Sequence, residues 1–161
     1  MYKFSKRSLA NLATADETLQ RLFNEVIKKV DCIVICGHRS TEEQFKLFQQ
    51  GREKKNGWWV KVGPTVTNID GNVKKSNHNY LPSRAVDVIP YPVDWNDIDR
   101  FKQLGKIVKE TAKELNIEIS WGGDWQSFKD YPHYEIISKG AWYGSKKYKK
   151  ATCWSWRLIT W

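Results

Sequence analysis

Three histidines occur in the 161-residue chain, and two of them sit among other polar groups, in Ser76-Asn77-His78-Asn79 and in Asp130-Tyr131-Pro132-His133-Tyr134-Glu135. Neutral imidazole and carboxylate are ordinary zinc ligands, and a catalytic zinc keeps three protein ligands with a fourth position for water. Asp87 is the natural third member. It interrupts the apolar run Ala85-Val86-Asp87-Val88-Ile89, where an uncompensated buried carboxylate costs several kcal/mol. A metal would remove that cost, and so would pairing with Arg84 or a lysine. Spacing alone favours the pairing, because two histidines and one aspartate this far apart make a weak metal signature.

The elements that must carry these residues follow from hydrophobic period. Thr14-Ala15-Asp16-Glu17 starts a helix, with acids where the helix dipole favours them, and Leu19, Leu22, Phe23, Val26, Ile27 and Val30 form its apolar face. A strand over 33–36 ends at Gly37. Ser40-Thr41-Glu42-Glu43 supplies an N-cap for a helix with Phe45, Leu47 and Phe48 that stops at Gly51. Residues 51–80 read as a long polar connection, a length that in a compact domain marks function or mobility. A strand over 84–89, a helix over about 96–115, and strands over 118–121 and 133–137 complete the order. That order predicts an α+β domain with a small sheet.

Composition bounds the rest. A chain of this length makes one domain with a real core, and 40% hydrophobic residues exclude a disordered chain. The net charge of +9 favours polyanionic partners, nucleic acid and anionic cell envelopes alike. Nine Trp and seven Tyr suit both a core and a groove for a polar polymer. Three cysteines without a CxxC pair argue against a disulfide framework. Cys32 and Cys36, at even spacing in one apolar run, are expected on the same strand face as small buried hydrophobes. Met1-Tyr2-Lys3-Phe4-Ser5-Lys6-Arg7 leads into no apolar stretch of signal-peptide length, so synthesis in a cytoplasm is expected, with a separate exit route for anything done outside. No run approaches the ~20 apolar residues of a membrane span.

Taken together in order, Ser76, His78, Ser83 and Ala85-Val86-Asp87, then Trp121-Gly122-Gly123-Asp124-Trp125, then Asp130, Pro132-His133 and Glu135 resemble the VanY-type zinc peptidases. That family includes D-alanyl-D-alanine carboxypeptidases and phage endolysins that cleave L-alanyl-D-glutamate. Gly37-His38-Arg39-Ser40 with Glu43-Gln44 resembles the family's strand-to-helix segment, and the likeness covers about residues 33–137. Thr67-Asn68, Asp70-Gly71 and Pro90-Tyr91-Pro92 point to the single-domain phage endolysins.

The resemblance implies a Hedgehog/D,D-peptidase-like fold, a small antiparallel sheet with flanking helices, and one Zn2+ per chain held by His78, Asp87 and His133. It puts the catalytic acid/base on Asp130, the carbonyl-polarising arginine on Arg39, and a substrate contact on Ser76. Many members have Glu in place of Asp130, and Asn79-Tyr80-Leu81-Pro82 lengthens the loop between the first two ligands. From the residues alone, Ser76 is equally a loop cap, Glu135 an exposed acid or a group orienting His133, and His38 structural. The implied activity is a peptidoglycan peptidase that cleaves the L-alanyl-D-glutamate bond of the stem peptide during host lysis. The alternatives are a D-alanyl-D-alanine carboxypeptidase and a non-catalytic basic binding module. The expected organisation is a monomer with one catalytic domain over 1–161 and no separate wall-binding domain. The expected partners are the stem peptide and a membrane-permeabilising protein, with no nucleic acid.

Overall fold

In the computed structural model, residues 1–137 are described; the Lys- and Trp-rich tail, with the envelope-targeting role its charge suggests, lies outside them. Helix α1, Lys6–Leu12, was not foreseen from the sequence; Ser5 caps it by accepting the Ser8 N–H at 3.1 Å. Helix α2 spans Glu17–Lys29 with Asp16 as its N-cap, and it buries the apolar face that the period indicated, Leu19, Leu22, Phe23, Val26 and Ile27. Helix α3, Thr41–Gln49, opens on the capping box expected of Ser40 and Glu43. Helix α4 covers Ile98–Glu114 behind Asp97.

The strands are β1 Cys32–Cys36, β2 Arg52–Lys55, β3 Trp58–Lys61, β4 Ala85–Pro90, β5 Ile119–Trp121 and β6 His133–Ile136. Four of them form one sheet in the order β1-β4-β6-β5, and every pairing in it is antiparallel. The molecule is thus the α+β architecture expected, with a small antiparallel sheet. Helices α2 and α4 pack together and cover one face of it. There Phe23, Leu104 and Val108 meet Val34, Val86, Val88 and Tyr134 in a single core. Because side chains alternate across a strand, Asp87, His133 and Glu135 fall on the opposite face. No helix among the described residues is long and apolar enough to cross a membrane.

Two expectations are corrected. Residues 51–80 are not simply a connection: β2 and β3 pair as a hairpin, Lys55 opposite Trp58. Its turn is Asn56-Gly57 at φ 49° and 84°, the positive-φ pair that matches the twist of a two-residue hairpin loop. Trp59 packs edge-on against Phe45 and Phe48 of α3, with ring centroids 5.7 and 6.4 Å away. The second correction concerns the cysteines. The β1–β4 register slips between Val34 and Cys36, so that Val34 faces Val88 and Cys36 faces Asp87. An extra residue in one strand reverses the facing of the residues after it. Cys32 therefore joins the core, while the Cys36 sulfur turns to the other face, 3.5 Å from Arg39 Nη2.

Candidate functional site

His78 stands in a single 3-10 turn, Asn77–Asn79. Ser76 caps this turn: its Oγ accepts the His78 N–H at 3.3 Å, and its own N–H donates to Asn79 Oδ1 at 2.9 Å. Asn79 Nδ2 in turn donates to the Arg39 carbonyl at 2.9 Å, and the Arg39 N–H donates to the His78 carbonyl at 2.9 Å. The turn is thereby fastened to the segment between β1 and α3. Ser76 is buried, and its bonds here are those of a cap.

Ring chemistry decides which His78 nitrogen is available. Nδ1 lies 2.7 Å from the Gly37 carbonyl, and a carbonyl only accepts, so Nδ1 carries the hydrogen and Nε2 presents its lone pair. Gly37 itself has no room for a side chain, since a Cβ there would lie 2.2 Å from the Asn11 carbonyl oxygen. The end of α1 presses on this corner: Asn11 Nδ2 donates to the Val34 carbonyl at 2.9 Å, and Thr14 Oγ1 accepts the His38 N–H at 2.7 Å.

Asp87 sits in the middle of β4, with Cys36 and His133 as its two cross-strand neighbours. Its Oδ2 accepts from Arg39 Nη2 at 3.0 Å, which leaves Oδ1 facing the histidines. On His133, Nε2 donates to Glu135 Oε2 at 3.0 Å, so Nδ1 is the nitrogen turned toward Asp87 and His78. The three remaining donor atoms form a nearly equilateral triangle: His78 Nε2 to His133 Nδ1 is 3.2 Å, His78 Nε2 to Asp87 Oδ1 is 3.2 Å, and His133 Nδ1 to Asp87 Oδ1 is 3.3 Å.

Burial opposes charge at this site, and the neighbours decide each group differently. Burial lowers the pKa of His78, against the upward pull of Asp87. Burial would also lower His133, but its hydrogen bonds to Asp87 and Glu135, with the charges of Asp87 and Asp130, push it up to about 9. Asp87 would be raised by burial, yet His78, His133 and Arg39 hold it well below the usual carboxylate range. Glu135 is lowered too, as the hydrogen bonds from His133 and Asn77 outweigh its burial.

Asp130 lies three residues before His133, in a loop whose backbone is tied at both sides. Its N–H donates to the Gly122 carbonyl at 3.1 Å and its carbonyl accepts the His133 N–H at 3.0 Å. A Cβ on Gly122 would stand 2.3 Å from the Asp130 carbonyl oxygen, so this approach requires glycine. The carboxylate is half-buried and close enough for its charge to act on His133. The Trp125 ring borders the same histidine, with centroids 5.2 Å apart.

Sequence inspection singled out His78, Asp87, His133, Arg39 and Asp130, and the fold gathers these five around one corner of the sheet. It did not single out Gln44, which accepts from Arg39 Nη1 at 2.9 Å and donates to the Ile69 carbonyl at 2.9 Å, nor Asn77. The available signal for Gln44 was its place in the motif Gly37-His38-Arg39-Ser40 with Glu43-Gln44, which assigned it no role.

Cys36, His78 and Asp87 also lie close enough to be grouped around a cation, their ligand atoms within 4.8 Å of one another. The Cys36 sulfur, however, lies 3.8 Å from Nδ1 of His78, the nitrogen already committed to Gly37. The His78, Asp87 and His133 triangle is tighter and uses only uncommitted lone pairs.

Residues 1–144 match the family model described as phage L-alanyl-D-glutamate peptidase. The chain is 40% identical over 118 residues to the peptidoglycan L-alanyl-D-glutamate endopeptidase CwlK of Bacillus subtilis, a match covering 68% of this chain and 63% of that protein. It is 28% identical over 148 residues to the L-alanyl-D-glutamate peptidase of Escherichia phage T5, covering 89% and 94% of the two. Among solved structures, the L-Ala D-Glu endopeptidase ChiX of Serratia marcescens superposes with a TM-score of 0.64 at 26% identity, over 84% of this chain and 90% of that one. The chain belongs to the phage L-alanyl-D-glutamate peptidase family, among the VanY-like zinc peptidases.

Proposed function

We propose that this protein is a zinc-dependent peptidoglycan peptidase that cleaves the L-alanyl-D-glutamate bond of the stem peptide during phage lysis. The observation that carries the metal part is the donor triangle. A tetrahedral centre with bonds of about 2.0–2.1 Å separates its donors by roughly 3.3 Å, and the three separations are 3.2, 3.2 and 3.3 Å. The donor chemistry fits as well: two imidazole nitrogens whose partner nitrogens are hydrogen-bonded, and one carboxylate oxygen whose partner oxygen is held by Arg39. Carboxylate or carbonyl partners on ligating histidines are the usual support of such sites. His78, Asp87 and His133 would hold one Zn2+.

When bound, zinc supplies a water of lowered pKa and polarises the scissile carbonyl. Asp130 is the proton carrier. It accepts the proton of the attacking water and delivers it to the leaving amine. The cationic Arg39 stabilises negative charge developing on the carbonyl oxygen, and it orients Asp87. Ser76 sets the turn bearing His78 and borders the substrate. Trp125 walls the site beside His133 and limits water there. The L-alanyl-D-glutamate bond is favoured over a D-alanyl-D-alanine bond by what the relatives are named for.

Residues 1–161 act as one catalytic domain, a monomer, and the net charge of +9 suits an anionic envelope. The enzyme accumulates in the host cytoplasm and reaches the wall once a membrane-permeabilising partner opens the way. The test is digestion of purified peptidoglycan followed by mass spectrometry of the fragments. New D-glutamate amino termini support this reading; release of free D-alanine alone would establish the carboxypeptidase instead. No released fragment, with stoichiometric zinc bound, would leave only a binding module.

A further inference from the structure

Asn77 immediately precedes the ligand His78, and its side chain crosses to another element. Its Nδ2 donates to Glu135 Oε2 at 2.6 Å, the same oxygen that accepts from His133 Nε2 at 3.0 Å. Its backbone carbonyl accepts the Arg84 N–H at 2.9 Å and Ser83 Oγ at 3.4 Å, just before β4. We propose that Asn77 is a positioning residue for His133, acting through Glu135, so that one dipeptide supplies the first histidine donor and orients the second. The inference rests on the zinc-site reading above.

The physical case starts from Glu135, a partly buried side chain on β6 with flexible torsions. Two donors converging on one oxygen hold it in a single arrangement. With Oε2 fixed, the only compatible tautomer of His133 carries its hydrogen on Nε2 and presents Nδ1 to the triangle. Without Asn77, Oε2 keeps one donor, the carboxylate is free to turn toward water, and His133 loses the acceptor that selects its tautomer and ring angle. Partners of this kind behind ligating histidines alter metal affinity by roughly 10–100-fold when removed. The Asn77–Glu135 bond also ties the turn of His78 to β6, and these segments are 58 residues apart in sequence.

Three variants test this: Asn77→Ala, Asn77→Asp, which keeps size and turn while removing the donor, and Glu135→Ala, with the double variant N77A/E135A. Zinc affinity is measured by competition with a chelator, and the absorption spectrum of the cobalt-loaded protein reports ligand geometry. Melting of the metal-free proteins reports folding. Both Asn77 variants are expected to bind zinc about 10–100-fold more weakly with a shifted cobalt spectrum, and Asn77→Asp carries the proposal if Asn77→Ala fails to fold. The double variant is expected to be no worse than Glu135→Ala, because residues acting through one contact are non-additive. Unchanged affinity, or losses that simply add, would overturn the role of Asn77. Separately, NMR exchange of the His133 Nε2 proton should quicken in Asn77→Asp. That readout decides the inference even if the wild-type chain proves not to hold zinc, a result that would instead sink the metal reading.

Discussion

At the scale of single residues, the separation between the proposed metal donors and the proposed proton carrier is the part of the site most open to experiment. His78, Asp87 and His133 form the triangle, whereas Asp130 lies beside it, its carbonyl accepting the His133 N–H and its charge acting on that imidazole. Asp130→Asn should therefore keep its zinc and lose turnover by about 10²–10⁴-fold, the usual contribution of a general base. Metal content and single-turnover rates on the same samples check this; a variant that loses both would make Asp130 a ligand. Away from the site, Cys32 is buried in the core, and burial, helped by the charge of Asp31, pushes its thiol up to about 12. A raised folded value stabilises the protonated thiol. That stability is fully present below the ordinary value of 9.0 and is lost as pH rises from there through about 12. Cys32 should resist alkylation at pH 8 until the chain is denatured, read by peptide mapping, and Cys32→Ala should flatten the decline in stability on the alkaline side.

At the scale of elements, the site depends on how β1 ends and α3 begins. The bulge turns Cys36 away from the core, Gly37 offers its carbonyl to His78, and the Ser40 cap starts α3 with Gln44 against Arg39. Ser40→Ala removes an acceptor for the Glu43 N–H and should destabilise the protein by about 1 kcal/mol, within the usual range for lost caps. Urea denaturation measures it, and a change under 0.3 kcal/mol, taken as an approximate detection limit, would mean the capping box is not formed in solution. Tyr134 tests the other face of the sheet. It is fully buried on β6 between Phe23 and Trp121, and its hydroxyl finds no hydrogen-bond partner among the described residues. A buried unsatisfied hydroxyl costs roughly 1–3 kcal/mol, so Tyr134→Phe should raise stability and leave zinc binding intact. A loss of stability on that change would show that the hydroxyl has a partner.

At the scale of the whole molecule, the proposed metal joins three segments that are separate in the chain: the 3-10 turn at Asn77–Asn79, β4 and β6. A ligand that binds only the folded state adds about 2.7 kcal/mol at a hundred times its Kd. For a chain of this size each kcal/mol moves Tm by about 2–4 °C. Chelation should thus lower Tm by several degrees, and zinc should restore it in a concentration-dependent way, as followed by calorimetry. The triple variant lacking His78, Asp87 and His133 should show no such zinc dependence. A Tm indifferent to both chelator and zinc in the wild-type chain would exclude a metal that bridges these segments.

The sequence by itself determined what depends on short-range pattern. Helices α2, α3 and α4 follow from apolar residues at helical spacing and from caps that lie within four residues of the groups they satisfy. Strands β1 and β4 follow from short apolar runs bounded by Gly and Pro, and β5 and β6 from the short segments on either side of the Gly122-Gly123 turn. The candidate site residues were legible through the ordered motifs of the family, since spacing alone left Asp87 as easily paired as metal-bound. Tertiary structure decided what depends on register and on contacts between distant segments. The slip in β1 that sends Cys36 to the face of Asp87 has no local signal, because the run Cys32–Cys36 keeps an even period throughout. The hairpin of β2 and β3 was obscured by strands without clean alternation, and it is held by Trp59 against α3. Arg39 was assigned to the substrate carbonyl, and only the fold brings its guanidinium to Asp87, 48 positions away. The Asn77–Glu135–His133 chain likewise exists only once β6 lies beside β4, for a hydrogen bond is specified by position in space and nothing in either segment names its partner.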